Sequence, residues 1–201
     1  MGNAAGILSR RNVVTIASGA ALLGLPSIAA APSATLAAEK STPIARTDAR
    51  TGHPYEKAAA RFEAAIGRLD AAAAAALVTR TAAWNEAEAE FAKMAGPSGL
   101  MLFAKFDQGA IASLTGKSVQ CRLYIVGNPA VAARILRIDP RASLYVPFRV
   151  ALFQLEGESD ATIAFDRPSS LLGALGQQAL GEIGAMLDRE INAVVEHVRE
   201  S

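Results

Sequence analysis

The stretch RLYIVGNPAVAARILRIDP, residues 122–140, constrains the fold more than any other. Its first residues, with Cys121, form a short β-branched and aromatic run over 121–126, which reads as a strand. Asn128 is a preferred N-cap, because its side-chain oxygen accepts a hydrogen bond from a free first-turn amide. Pro129 suits the first helical position, where its missing N–H would be unpaired anyway. Gly127 frees the chain to turn off the strand. Asp139 precedes Pro140, and a residue before proline is pushed out of helical geometry, so the helix ends near Ile138. The segment is strand, cap, helix and stop. If Asn128 is only a cap, Asp should replace it without loss. A second use of the joint stays open: the positive end of the helix could face a cleft and hold an anion.

The remaining pattern extends this unit. A helix is expected over 54–75, started by Pro54 and carrying Phe62, Ile66 and Leu69 on one stripe. Residues 76–81, ALVTRT, alternate and are β-branched, which predicts a strand. Asn85 and Glu88 have the spacing of a capping box for a short helix. Strands follow over 100–107 and 121–126, then 146–155 and 161–166, the last two joined by a hairpin turn at 157–160. In the first of these, Leu100, Leu102, Ala104 and Phe106 should face one way. A final helix over 177–200 holds Leu180, Ile183, Leu187, Ile191, Val194 and Val198 on one face, with Glu182, Arg189 and Glu196 opposite.

The first residues read as a leader over 1–37. Ser9-Arg10-Arg11 precede a mildly apolar run from Val13 to Leu25, and small residues follow. The run is about 13 residues, too short to span a hydrocarbon core of about 30 Å. Its twin arginines and modest hydrophobicity predict a twin-arginine export signal, cleaved after Ala29 or Ala37. Removal takes two basic and no acidic residues from a chain of 20 basic and 19 acidic, changing net +1 to net −1. A periplasmic or secreted bacterial location follows, without a stable membrane anchor. Residues 38–53 are polar and predict a flexible lead-in, and 76–200 form the main domain.

The strand ending in Gly127-Asn128-Pro129, then Asp139-Pro140, then Pro147-Phe148-Arg149 opening a strand, is similar to the DUF302 family. So is GLMLFAKFDQGA at 99–110. The resemblance covers about 77–198. It implies one small α+β domain: an antiparallel sheet of about five strands with helices packed on one side, here with an added N-terminal helix. Family members commonly carry Asp-His where this chain has Asp107-Gln108, so any role of that histidine is lost here. The family lends no settled activity.

The chemistry is sparse. Near-neutral charge leaves no basic footprint for nucleic acid. A single cysteine and two distant histidines, His53 and His197, supply no zinc site of the Cys/His kind. His197 reads as part of a solvated face, and Cys121 as a small buried thiol. No cofactor motif and no catalytic constellation is present in the sequence. Three polar residues remain as a ligand site: Asp107 at a strand end, Asn128 at the helix cap, and Arg149 within a strand beside Ala151 and Phe153. A charge among apolar neighbours needs a partner. Arg149 either pairs with Asp107 or Asp139, or joins the helix amides around a small anionic ligand. The sequence thus predicts a non-catalytic binding or accessory domain. The alternatives are an enzyme using Asp107 as acid or base, and a homo-oligomer joined through the helix at 54–75.

Overall fold

The structure is a computed structural model that describes residues 40–200. The leader, with Arg10 and Arg11, lies outside the described residues. Among the described residues six strands form one sheet: β1 Arg46–Arg50, β2 Gly67–Arg68, β3 Met101–Asp107, β4 Gln120–Gly127, β5 Phe148–Gln154 and β6 Thr162–Asp166. Their order is β1-β6-β5-β4-β3-β2, with every pair antiparallel except β2 beside β3. The fold is α+β as expected, but the sheet has six strands and is mixed.

The helices are α1 Tyr55–Ala65, α2 Ala71–Thr79, α3 Trp84–Met94, α4 Gln108–Ser113, α5 Pro129–Ile138, α6 Pro168–Gly173 and α7 Gln178–Arg199. On the sheet's first face, Tyr124, Val126, Phe148, Val150, Leu152, Ile163 and Phe165 are buried. They pack in one core with Ala58 and Phe62 of α1 and Leu187, Ile191 and Val194 of α7. The stripe predicted for the last helix is the buried one, although Ile183 is only half-buried. The second face is covered at one corner, where Met101 packs with Leu77 of α2, Phe91 of α3 and Ala130 of α5.

Five expectations are corrected. The residues expected to form one helix over 54–75 instead form α1, β2 and the start of α2. The break is at Gly67, where a Cβ would stand 2.0 Å from the Met94 carbonyl oxygen. Asp70 then caps α2 by accepting from the Ala73 amide at 2.9 Å. The apolar stripe of α1 is spent inside the core, so this helix is part of the fold rather than an appendage. Residues 76–81 are not a strand: they end α2, because the alanine run before them has the highest helix propensity.

The polar stretch over 38–53 contains β1, an edge strand held by its ladder to β6 and by ion pairs of Arg50 with Asp160 and Glu158. In β3 a bulge between Leu102 and Ala104 puts those two residues on opposite faces. Asn85 does not cap α3: Ala83 holds that position, and Glu88 pairs with Arg134. Helix α6 has no counterpart among the predicted elements.

Candidate functional site

Asn128 does what the sequence asked of it and one thing more. Its Oδ1 accepts from the Ala130 amide at 2.9 Å, and its Nδ2 donates to the Gly99 carbonyl at 2.9 Å. The side chain both caps α5 and ties the joint to the turn before β3. Gly127 is not in the left-handed region. Its small size still suits the joint, since a Cβ there would stand 3.2 Å from Cβ of Pro147, a tight contact. The second hydrogen bond changes the expected tolerance to Asp, since an aspartate would set a carboxylate against the Gly99 carbonyl. Asn128→Asp should therefore be at least as destabilising as Asn128→Ala, each by about 1–3 kcal/mol in urea unfolding. An Asp variant as stable as wild type would leave the Gly99 bond without weight.

Asp139 is buried and caps the 3-10 turn Pro140–Leu144, accepting from the Arg141 amide at 2.9 Å. The Arg141 guanidinium bonds it at 2.7 Å and Gln177 at 3.1 Å. The Arg141 side chain and amide hold the Asp139 carboxyl down at about 2. A depressed carboxylate stabilises the fold above its unfolded pKa and loses that contribution as pH falls through the folded one. The gap in thermal midpoint between wild type and Asp139→Asn should thus be constant near neutrality and close between about pH 4 and pH 2. A gap independent of pH would contradict this role.

Neither predicted partner reaches Arg149. Asp139 is taken by Arg141, and Asp107 caps α4 by accepting from the Ala110 amide at 2.8 Å. Asp107 also lies at the opposite end of β3 from the Asn128 joint, because Met101 pairs with Gly127 and Asp107 with Arg122. At about 3.3 Å per residue the two are roughly 20 Å apart. The structure does not gather Asp107, Asn128 and Arg149 into one site.

Arg149 stands on the open second face, exposed, with half-buried Ala151 and Phe153 on the same side. Among the described residues its side chain makes no hydrogen bond or ion pair. It sits where two grooves meet. The upper groove, about 250 Å³, is walled by Ile44, Leu144, Pro147 and Leu171, with Tyr145 at its edge. The lower, about 440 Å³, runs over Leu123, Ala151, Phe153 and Ala164. Asp166 lines both grooves and is bonded by Arg46 at 2.8 Å. The row Arg46, Asp166, Arg149 therefore carries one unbalanced positive charge, on Arg149. Asp166 and the groove walls were not picked out from sequence; the only local hint was that Asp166 ends a strand before Arg167-Pro168.

A second polar cluster lies between α1 and the β3–β4 pair. Tyr124 donates to Glu63 at 3.0 Å, Lys105 bonds Glu63 at 2.9 Å, and Arg122 bonds Glu56 at 3.0 Å across the Tyr55 ring. Burial raises the Tyr124 phenol, helped by the Glu63 charge, and pushes Tyr55 up to about 12. Burial opposes ionisation of Glu63, but hydrogen bonds from Lys105 and Tyr124 leave its carboxyl below the ordinary value. The members satisfy one another, and the cluster opens onto none of the grooves described above. Cys121 is half-buried, and burial and then the Asp107 charge raise its thiol, which disfavours the thiolate a nucleophile needs. His53 is buried, with Nε2 at 3.2 Å from the Glu200 carbonyl, so the polar lead-in is tied to the C-terminus. Among the described residues no three His, Cys, Asp or Glu side chains gather as a metal site.

The family model for DUF302, a domain of unknown function, matches residues 77–198. A crystal structure of an uncharacterized conserved protein DUF302 from Bacillus stearothermophilus is similar in fold. Its TM-score is 0.55 at 18% identity, covering 77% of this chain and 98% of that one. No curated protein matches the chain.

Proposed function

Because this chain belongs to the DUF302 family, whose description names no function, we propose a role from its own surface. The domain is a non-catalytic binder of a small organic anion, a carboxylate or phosphate with a short apolar body. One observation carries the reading: among the described residues Arg149 has no acidic partner of its own, and it stands between apolar walls. A guanidinium offers a planar two-point grip to a carboxylate or phosphate, and Ile44, Leu144 and Leu171 offer cover for a hydrocarbon tail. Asp166 lies in the same grooves, and its ion pair with Arg46 weakens its repulsion of an anion.

Thermal shift across phosphate, sulfate, acetate and longer alkyl carboxylates tests this. Longer carboxylates should stabilise the protein more than acetate or sulfate. The shift should vanish in Arg149→Gln and shrink in Arg149→Lys, which keeps the charge and loses the fork. A stabilising ligand indifferent to both variants would put the site elsewhere.

The same proposal places the domain outside the bacterial cytoplasm, exported by the twin-arginine route. Its support is the leader pattern around Arg10 and Arg11. Among the described residues no helix is long and apolar enough to cross a membrane. Replacing both arginines by lysine should leave unprocessed precursor in the cytoplasm. Normal processing of that variant would contradict the route.

A further inference from the structure

We propose that Glu190 is a proton-operated latch on the joint between Gly99 and Asn128: protonated, its carboxyl lies closed over the turn before β3, and ionised it swings out to water. The starting observation is a carboxylate without a donor. Among the described residues Glu190 Oε2 is sealed from solvent and has no hydrogen-bond partner. Asp188, two residues earlier on α7, is 4% exposed and accepts four hydrogen bonds. Glu158 also has a sealed Oε2, but its Oε1 is held by Arg50 at 2.8 Å. A sealed carboxylate that lacks both donor and cation is costly when charged.

The position of Glu190 gives that cost a consequence. A Cβ on Gly99 would stand 3.4 Å from Glu190 Oε1 and 3.6 Å from its Cδ, so the carboxyl covers this glycine. The carbonyl of the same Gly99 accepts from Asn128 Nδ2 at 2.9 Å. One glycine thus stands between the Glu190 carboxyl and the cap of α5. The charged groups around it do not balance it. The turn over 96–99 carries none. On α5, Arg134 is bound to Glu88 and Arg137 is exposed. On α1, Arg61 is spent on the Val198 and His197 carbonyls, and Glu63 is bonded by Lys105 and Tyr124. On α7 itself, Arg189 is exposed and His197 lies two turns on. Burial lifts the Glu190 carboxyl above its ordinary value, and the Arg189 charge only partly offsets this. A carboxyl raised in the fold adds stability below its unfolded pKa of about 4.3 and loses it as pH rises through the folded one, the reverse of Asp139. Glu190 is only half-buried, so the ionised group has a way out. Ala193, Val194 and His197, three, four and seven residues on along the same helix face, line an open cleft of about 210 Å³. The latch is independent of anion binding at Arg149.

Nuclear magnetic resonance of the labelled protein between pH 4 and pH 8 is the test. The Glu190 side-chain carboxyl carbon should titrate at a higher pH than that of exposed Glu182. The Gly99 amide and the Asn128 side-chain amide should shift with the Glu190 midpoint in wild type and lose that transition in Glu190→Gln. Overhauser contacts between the Glu190 side chain and the Gly99 α-protons should be present at pH 4 and lost at pH 8. Thermal midpoints give a second readout. Glu190→Met keeps the length and removes the charge, so its midpoint relative to wild type should fall by about 2–4 °C on going from pH 7.5 to pH 4. Glu182→Gln should show no such change. A Glu190 carboxyl that titrates at or below the Glu182 midpoint overturns the proposal, as do Gly99 contacts that survive at pH 8.

Discussion

Leu187→Ala is expected to lower the unfolding free energy by about 2–5 kcal/mol, while Glu182→Ala changes it by about 0.5 kcal/mol or less. Leu187 is 2% exposed at the middle of α7. It lines a small void together with Ile135 of α5 and Phe148 of β5. Truncation enlarges a gap that the neighbours have not closed, so little relaxation offsets the loss and the upper part of the range applies. Glu182 is exposed one turn earlier on the other side of the helix, where its side chain accepts from Gln178. Urea unfolding read by circular dichroism gives both values. Equal effects would mean that the buried stripe of α7 has been misassigned.

Asp188→Ala should cost about 2–3 kcal/mol. This carboxylate is 4% exposed and accepts four hydrogen bonds: Arg167 at 3.0 and 2.8 Å, the Ser169 amide at 3.0 Å and the Ser169 hydroxyl at 2.5 Å. It binds the first turn of α6 to the flank of α7. Gly184 makes the approach possible, since a Cβ there would stand 2.6 Å from Ser169 Cα. Breaking a fully buried ion pair costs about 3–5 kcal/mol, because the remaining charge is stranded. Here the Arg167 side chain is 47% exposed and rehydrates, so the loss falls to the Ser169 groups and the lower figure holds. Asp188→Asn should lose less, since its amide oxygen still accepts from Ser169. A loss of about 0.5 kcal/mol or less in Asp188→Ala would contradict this account of how α6 is held.

Leu187 and Asp188 are neighbours, yet only one was legible in the sequence. A stripe repeats within the helix itself, so periodicity finds Leu187. The partners of Asp188 sit about twenty residues earlier, and no local pattern marks them. The same division runs through the fold. Gly127-Asn128-Pro129 is readable because capping is chemistry within one turn of chain. Strand β1 is not readable, because its five residues, four of them polar, become a strand only when Thr162–Asp166 stands beside them. Alanine-rich α2 was misread because Leu77-Val78-Thr79 have strand-like side chains, while the helix that carries them starts at the Asp70 cap. At the candidate site, alternation singled out Arg149 as a cation among apolar residues. Ile44, Leu144, Asp166 and Leu171 are brought to it by the register of β1, β6 and β5, and register is not written in any one of those segments.

The central claim is that a small organic anion binds beside Arg149. Amide chemical-shift mapping of the labelled protein, titrated with a short alkyl carboxylate such as hexanoate, tests it most directly. The account predicts saturable shifts concentrated on Tyr145, Phe148, Arg149 and Asp166, absent in Arg149→Gln. Shifts centred instead on Asp107 and the first turn of α4, or shifts that persist unchanged in Arg149→Gln, would contradict it.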